Sequence, residues 1–432
     1  MINTIGVKRF KSYQSGILPL APSTLLVGAN ASGKSNIIEA LSLLSKLAEG
    51  SRLSVLGDGQ LSNESLLRGS IRDWGYQGAK SFALSCTIQS EQLSETYCLD
   101  IELSIATDGN LYVTQEQITT EKFAVPLYRI TSQPQGMGKD VFVEYHNFAA
   151  GDRTPHIVCS SHMAIFTQLL SEIRFPQEHQ ESRNVIPKIA ECYVNLLTRI
   201  IVLEPEPQKM RGYSDKKARK IQTSAANVSG ILYNICQSSI LKENLLHWIR
   251  HLPEQEIIDI DFLETDRGEV MVQLTEMFGD RAIPYDATML SDGTLRVLAI
   301  AAAMLSAPEE SLVVIEDVDR GVHASRVEGL LNRINSTARS RRIQVLMSSH
   351  NPALLDALPN TAIPETVFCY RDRDRGSSEL IRLQDIPDYP ELIARGTVGH
   401  LMTQNVLDAF VKDRPGREEK KQKAMEWLTS IA

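Results

Sequence analysis

The sequence predicts an α/β fold, a largely parallel sheet carrying a phosphate-binding loop, with an antiparallel β subdomain and a helical insertion set into it. Three observations predict it. A strand at residues 24–27 runs into a glycine-bearing loop and then the helical pattern NIIEALSLLSKLAEG. Short β-rich runs broken by turn signals fill residues 81–148. Towards the C-terminus, fully apolar strands alternate with helices, the pattern of strands buried on both faces.

The elements follow in order. Residues 2–8 form a short strand ahead of the loop strand. The runs SFALSCTI, TYCLDIELSI, NLYVTQEQI, PLYRI and VFVEYHNF make the antiparallel sheet, with Asp108-Gly109-Asn110 as a turn. From Ser160 the period becomes helical, in SSHMAIFTQLLSEIR, VIPKIAECYVNLLTRI, ANVSGILYNICQSS and ILKENLLHWIRHL. The polar segment EPEPQKMRGYSDKKARK between them reads as a surface loop. Strands return in EIIDIDFLE and EVMVQLTEMF, followed by the apolar helix LRVLAIAAAML and the strand SLVVI. RVEGLLNRINSTARS and IQVLMSS form the last helix–strand pair. We expect an N-lobe at residues 1–158, the helical insertion at 159–255, a C-lobe at 256–386 and a helical tail at 387–432.

Composition narrows the function classes. In 432 residues, 45 Lys+Arg against 53 Asp+Glu leave a net charge of −8, which argues against coating nucleic acid by bulk charge. No run approaches about 18 consecutive apolar residues, so no membrane span is expected. The start, MINTIGVKRFKSYQSG, lacks the apolar core of a signal peptide. Six scattered cysteines without a CxxC pair read as reduced and mostly buried, pointing to the cytoplasm.

Four motifs carry the chemistry. Gly28-Ala29-Asn30-Ala31-Ser32-Gly33-Lys34-Ser35 fits GxxxxGK[ST], the Walker A loop, and Asn36 follows it. Its glycines let backbone N–H groups curl around phosphate oxygens. Lys34 adds a mobile positive charge, the Ser35 hydroxyl suits Mg²⁺, and the helix start aims its positive end at the same anion. Leu312-Val313-Val314-Ile315-Glu316-Asp317 reads as a Walker B strand, with acids placed for the metal and the attacking water. Leu290-Ser291-Asp292-Gly293-Thr294-Leu295-Arg296 opens an apolar helix; by itself it is a capped helix start. Ser348-Ser349-His350-Asn351-Pro352 places a histidine just beyond a buried strand.

Taken in this order, the four resemble the ABC-type ATPases of the SMC/RecF/OLD class, from Val7 to about Leu355. Phe10-Lys11-Ser12-Tyr13, GANASGKSN, LSDGTLR, EDVDRGVH and SSHNP carry the likeness. Glu316 lies 282 residues after Lys34, far more than compact RecA-like ATPases allow, and the insertion has no long heptad run. The sequence looks most similar to stand-alone ATPases of antiphage defence, of the Septu and retron-associated types. Val202-Leu203-Glu204-Pro205-Glu206-Pro207, with Met210-Arg211 after it, also looks like that group.

The resemblance implies an ABC-type P-loop ATPase with a mixed central sheet. ATP and Mg²⁺ are the implied cofactors, with Gly28, Asn30, Gly33, Lys34, Ser35 and Asn36 at the nucleotide and Ser35 and Glu316 at the metal. Asp317 takes the position of the base, His350 that of the switch histidine, and Asp319 falls in a loop that crosses the dimer interface. Ser291 and Gly293 contact the γ-phosphate held by the other subunit, so a homodimer or larger even-numbered assembly is implied. Asp317 stands where the family usually has the longer Glu; Val318 and Arg320 replace a common Pro and Asn. Slow turnover is the expected consequence. No effector domain is visible, which implies a separately encoded effector under the ATPase's control. The alternative is a RecF-like, DNA-binding maintenance ATPase.

Other features have bland readings. The run Lys216, Lys217, Arg219, Lys220 and the cluster Arg339, Arg341, Arg342 could meet a nucleic-acid backbone, but a solvated loop and helix end account for them. Asp372 and Asp374 resemble a DxD pair without the further acids a nuclease needs. Gln77 and Gln177 are the two candidates for a Q-loop glutamine. GREEKKQKAMEWL reads as a charged helix face with Trp427 packed.

Overall fold

The computed structural model describes residues 1–56, 67–89, 95–107, 109–134, 139–148, 154–250, 256–322, 324–351, 353–358, 362–386, 389, 396 and 398–403. Asp108, Pro352 and the tail segment with Trp427 lie outside them. The chain forms three sheets. β1 (Ile2–Phe10) and β2 (Tyr13–Pro19) open the chain, and β3 (Ser23–Val27) leads into the loop. β4 (Ser81–Ile88), β5 (Tyr97–Ile105), β6 (Leu111–Thr120), β7 (Tyr128–Ile130), β8 (Asp140–Tyr145) and β9 (His156–Ser160) complete an eight-stranded sheet in the order β2-β1-β4-β5-β6-β7-β8-β9. Every pairing in it is antiparallel, as expected for residues 81–148. Burial alternates strictly along β4, the signature of a sheet with one packed face.

The central sheet contains β10 (Ile200–Leu203), β15 (Leu312–Ile315), β16 (Gln344–Ser349), β17 (Val367–Arg371) and β18 (Ser378–Arg382), ordered β10-β15-β16-β3-β17-β18. It is parallel except for β18, so it is mixed, as the sequence implied. β11 (Ser214–Asp215), β12 (Ile257–Glu264), β13 (Glu269–Phe278) and β14 (Arg281–Asp286) form a small antiparallel sheet centred on β13.

Alternate residues of the central strands enter two different cores. Leu26, Leu312 and Val314 face one that also takes helix Lys34–Ala48, helix Gln180–Thr198 and the eight-stranded sheet. Leu25, Val27, Val313 and Ile315 face the other, packed by helices Val228–Cys236, Ser239–Ile249, Asp292–Ser306 and Ala324–Arg341. Buried alanines 299 and 301–303 let the helix from Asp292 lie deep in this second core.

Two expected helices are corrected. Residues 160–174 were expected as one helix; β9 runs through Ser160, and only Ile165–Gln168 and a 3₁₀ turn at Glu172–Arg174 follow. The Gln168 amide folds back on Ser160, accepting from its N–H at 2.9 Å and donating to its C=O at 2.8 Å, which ends the helix. Nor does the helix over 185–200 reach Ile200. It stops at Thr198, and Ile200–Leu203 joins the central sheet beside β15.

Buried Glu116 on β6 anchors the broken segment. Its carboxyl accepts from the N–H groups of Ile165 (2.7 Å) and Phe166 (2.6 Å) and from the Tyr128 hydroxyl (2.6 Å). Burial pushes its pKa up to about 7, against the pull of those three donors. Glu116→Ala strands all three, and at about 1–3 kcal/mol for each buried unpaired group the loss is at least about 3 kcal/mol. Denaturant titration of the variant checks this; an unchanged midpoint contradicts it.

Candidate functional site

The site is built at the C-terminal edge of the central sheet, where β3, β16 and β15 end side by side. β3 delivers the loop at Gly28. A Cβ there would lie 2.2 Å from the Cys369 carbonyl of β17, so only glycine lets the two backbones approach. Gly33 has φ 121°, and a Cβ on it would meet the Ser378 hydroxyl at 2.3 Å. The first helix starts at Lys34 with no side chain capping it. The Lys34 and Ser35 N–H groups therefore remain for an anion, while the Asn36 N–H donates to Gly33 C=O at 3.0 Å. Tyr13 donates to Gly33 C=O at 3.1 Å, and Asn36 donates to the Ser12 hydroxyl at 2.7 Å, so the FKSY turn props the loop from behind. Asn30 is exposed.

Lys34 folds over its own loop, donating to the carbonyls of Gly28 (2.7 Å) and Ala29 (3.1 Å). Burial holds its ammonium below the usual lysine range. The Ser35 hydroxyl donates to Glu316 at 3.0 Å, joining Walker A to Walker B. Burial pushes Glu316 up to about 7, and the nearby Glu204 adds to it. Asp317 has φ 47°, its N–H donates to Ser348 Oγ at 3.0 Å, and its carboxylate faces His350 Nδ1 at 3.4 Å. That left-handed backbone is tolerated better by Asp than by the longer Glu, a local reason for the shorter acid. Asp319 accepts from the Ser349 hydroxyl at 2.7 Å.

The structure thus gathers the loop, Glu316, Asp317 and His350. Among the described residues, Ser291 and Gly293 make no hydrogen bond to that cluster. Ser291 caps helix Asp292–Ser306, and its hydroxyl is taken up by Thr294, from the N–H at 3.1 Å and the hydroxyl at 2.8 Å. Ser291 is exposed, and a Cβ on Gly293 would lie 2.7 Å from the Gly321 carbonyl. Gln77 lines a cavity of about 390 Å³ with Lys11, Asn36 and Arg68, whereas Gln177 is exposed before helix Gln180–Thr198. Asp372 accepts from the N–H groups of Asp374 (3.0 Å) and Arg375 (2.8 Å), the work of a hairpin-turn residue. Of the basic run, Lys216 pairs with Glu264 at 3.4 Å and Arg219 donates to Asn234. Among the described residues, no cluster of three or more His, Cys, Asp or Glu is placed to hold a metal by itself.

Sequence reasoning gave no role to three charged residues here. Glu204 follows β10 and stands beside Glu316, because the Glu316 N–H continues the ladder to Leu203 C=O at 2.9 Å. Four apolar residues and then an acid, Ile200 to Glu204, repeat the pattern of Leu312 to Glu316, a signal present in the sequence. Arg68 pairs with Glu39 at 2.8 Å and lies within electrostatic reach of Glu316. The third, Arg211, donates to carbonyls of the turn that precedes Ser291.

The comparisons bear on this geometry. Residues 1–269 match the family described as "AAA ATPase domain". The chain belongs to that family. Residues 206–356 of this AAA-type ATPase also match "AAA domain, putative AbiEii toxin, Type IV TA system". No curated protein matches the ATPase. Solved structures similar to it include an SMC head bound to the C-winged helix domain of ScpA, at 15% identity over 88% of this chain and 97% of that chain (TM-score 0.49). Others are the SMC head domain from Thermotoga maritima, at 13% identity over 88% and 98% (TM-score 0.43), and an SMC head with an extended coiled coil from Pyrococcus furiosus, at 13% over 91% and 99% (TM-score 0.49). No helix of the described residues is long and apolar enough to cross a membrane, and all six cysteines are unpaired, three buried and three half-buried.

The raised Glu316 pKa carries a prediction about the ligand-free ATPase. A carboxyl whose folded pKa exceeds its unfolded value costs stability once pH rises through the folded value, and the cost is absent below the unfolded one. The window here runs from 4.5 to about 7. Glu316→Gln is therefore expected to melt higher than the parent at pH 8, by up to about 3 kcal/mol, and the gap closes on acidification. A variant melting lower at pH 8 contradicts this.

Proposed function

We propose that the ATPase binds ATP–Mg²⁺ between two chains, closes on it, and through that closure regulates a separately encoded effector in antiphage defence. The observation that carries the shared site is that, among the described residues, no hydrogen bond ties the Ser291 turn to the loop cluster of its own chain. Loop, Glu316, Asp317 and His350 cluster together, while Ser291 faces solvent and spends its hydroxyl on its own helix. The exposed apolar side chain of Met289, 69% accessible, lies two residues before Ser291, which supports burial against a second chain.

The residues fit the nucleotide and its cation. An uncapped helix start and a curled lysine suit a triphosphate, and Ser35 and Glu316, paired at 3.0 Å, are the hydroxyl and carboxylate that would hold a hard cation. When bound, Mg²⁺ supplies positive charge at the phosphate oxygens. Lys34 would swing from its loop carbonyls to the phosphates. Asp317 would orient the attacking water, held by His350 and the Ser348 hydroxyl. Ser291 and Gly293 of the second chain would complete the site. The defence reading draws on the AbiEii description matched by residues 206–356 and on the likeness to defence ATPases.

Light scattering tests the association. ATP–Mg²⁺ is expected to double the mass of the wild-type chain, and Met289→Asp to prevent the doubling while ATP still binds. A mass indifferent to ATP–Mg²⁺ in both proteins sinks the reading. Proteins co-purifying from the native host identify the effector.

A further inference from the structure

Arg211 meets the turn that precedes the Ser291 helix. One guanidinium nitrogen, Nη1, donates to the carbonyls of Ala287 (3.2 Å), Thr288 (3.0 Å) and Leu290 (2.7 Å). The other, Nη2, donates to Asp292 Oδ1 at 2.6 Å. The Arg211 side chain is 23% exposed. Asp286 ties the turn from the far side, accepting from the Thr288 N–H at 2.9 Å. Backbone carbonyls on both sides of Met289 and the first acid of the helix thus converge on a single cation from a distant part of the chain.

The origin of that cation matters. Arg211 ends the short helix Pro207–Met210, which follows directly from β10 and Glu204. β10 is hydrogen-bonded to the Walker B strand β15, and the ladder extends to the Glu316 N–H. A single covalent path of nine residues, from Leu203 to Arg211, therefore links the strand beside Glu316 to the turn that presents Ser291. Short, charge-assisted bonds at a rigid planar fork transmit position better than a flexible contact.

We propose that Arg211 is a positioning residue: it fixes the Ser291 turn in the geometry that serves the partner chain's nucleotide, and ties that geometry to the chain's own Walker B strand. This rests on the shared-site reading above. Arg211 touches no nucleotide in this scheme and acts only through the turn.

The test is a double-mutant cycle on the full-length chain, with three readouts: ATP affinity, ATP-dependent mass and kcat. Arg211→Ala is expected to leave ATP affinity for the free chain unchanged and to lower kcat about 10²-fold, the cost of an ångström-scale misplacement. In a Ser291→Ala background, the same change should lower kcat no further, because both act through one turn. Arg211→Lys, which keeps the charge but loses the fork, should recover part of the loss; it replaces the alanine variant in the cycle if that variant fails to fold. Independent, multiplying losses in the double variant overturn the proposal, as does an Arg211→Ala kcat equal to wild type in a chain that still dimerises. A wild-type chain that turns over ATP as a monomer overturns the shared-site reading itself.

Discussion

Lys34→Ala is expected to raise the ATP dissociation constant by about 10- to 10⁴-fold. The ammonium sits over the loop on the carbonyls of Gly28 and Ala29, a short swing from the open N–H groups of the first helix. Its replacement removes one or two charge-assisted hydrogen bonds to phosphate, at about 1.5–3 kcal/mol each, and about 1.4 kcal/mol is tenfold in affinity. The fold should survive. Burial already disfavours the charged amine, so its removal returns a cost that offsets the lost carbonyl contacts. Fluorescent-nucleotide titration beside a melting curve checks both halves. An unaltered dissociation constant counts against the assigned loop.

Asp317→Asn has the other large effect, a fall in kcat of about 10²–10⁴-fold with ATP affinity kept. The amide preserves the side-chain shape and the bond from Asp317 N–H to Ser348. It removes the charge that faces His350 and would orient water. Asp317→Glu is expected to work in the opposite direction. The added methylene shortens the gap to the water and raises turnover, while φ 47° makes the glutamate less well tolerated. A faster, less stable enzyme is the expected pairing, read by steady-state phosphate release and thermal melting. A glutamate variant slower than the parent contradicts the idea that the short acid limits the rate.

Much of this site was legible because its parts are local. A phosphate loop must be glycine-spaced and followed at once by a helix, so residues 28–36 announce themselves. The β15 strand, buried on both faces, has to be uniformly apolar, and its acids must fall at its end. The loop, the Glu316–Asp317 acids and His350 then assemble because β3, β16 and β15 are parallel neighbours, which an alternating strand–helix pattern predicts. β10 was missed for a physical reason. Its four residues continue the apolar run of the preceding helix, and only pairing with β15 distinguishes a short strand from a last helical turn. The break at residues 160–174 was illegible too, since it depends on Glu116, remote in sequence and close in space. Arg211 belongs with these. Nothing local in EPEPQKMRG says that its guanidinium ends on carbonyls around Met289.

If one site is made by two chains, mixing two dead variants shows it most directly. Lys34→Ala chains lack a working loop, and Ser291→Arg chains lack a working turn. Alone, each should hydrolyse no ATP. Mixed in equal amounts, they should regain activity, because a mixed pair holds one intact loop opposite one intact turn. If the mixture stays as inactive as its parts while wild-type chains treated identically remain active, the loop and the turn do not serve one another across two chains.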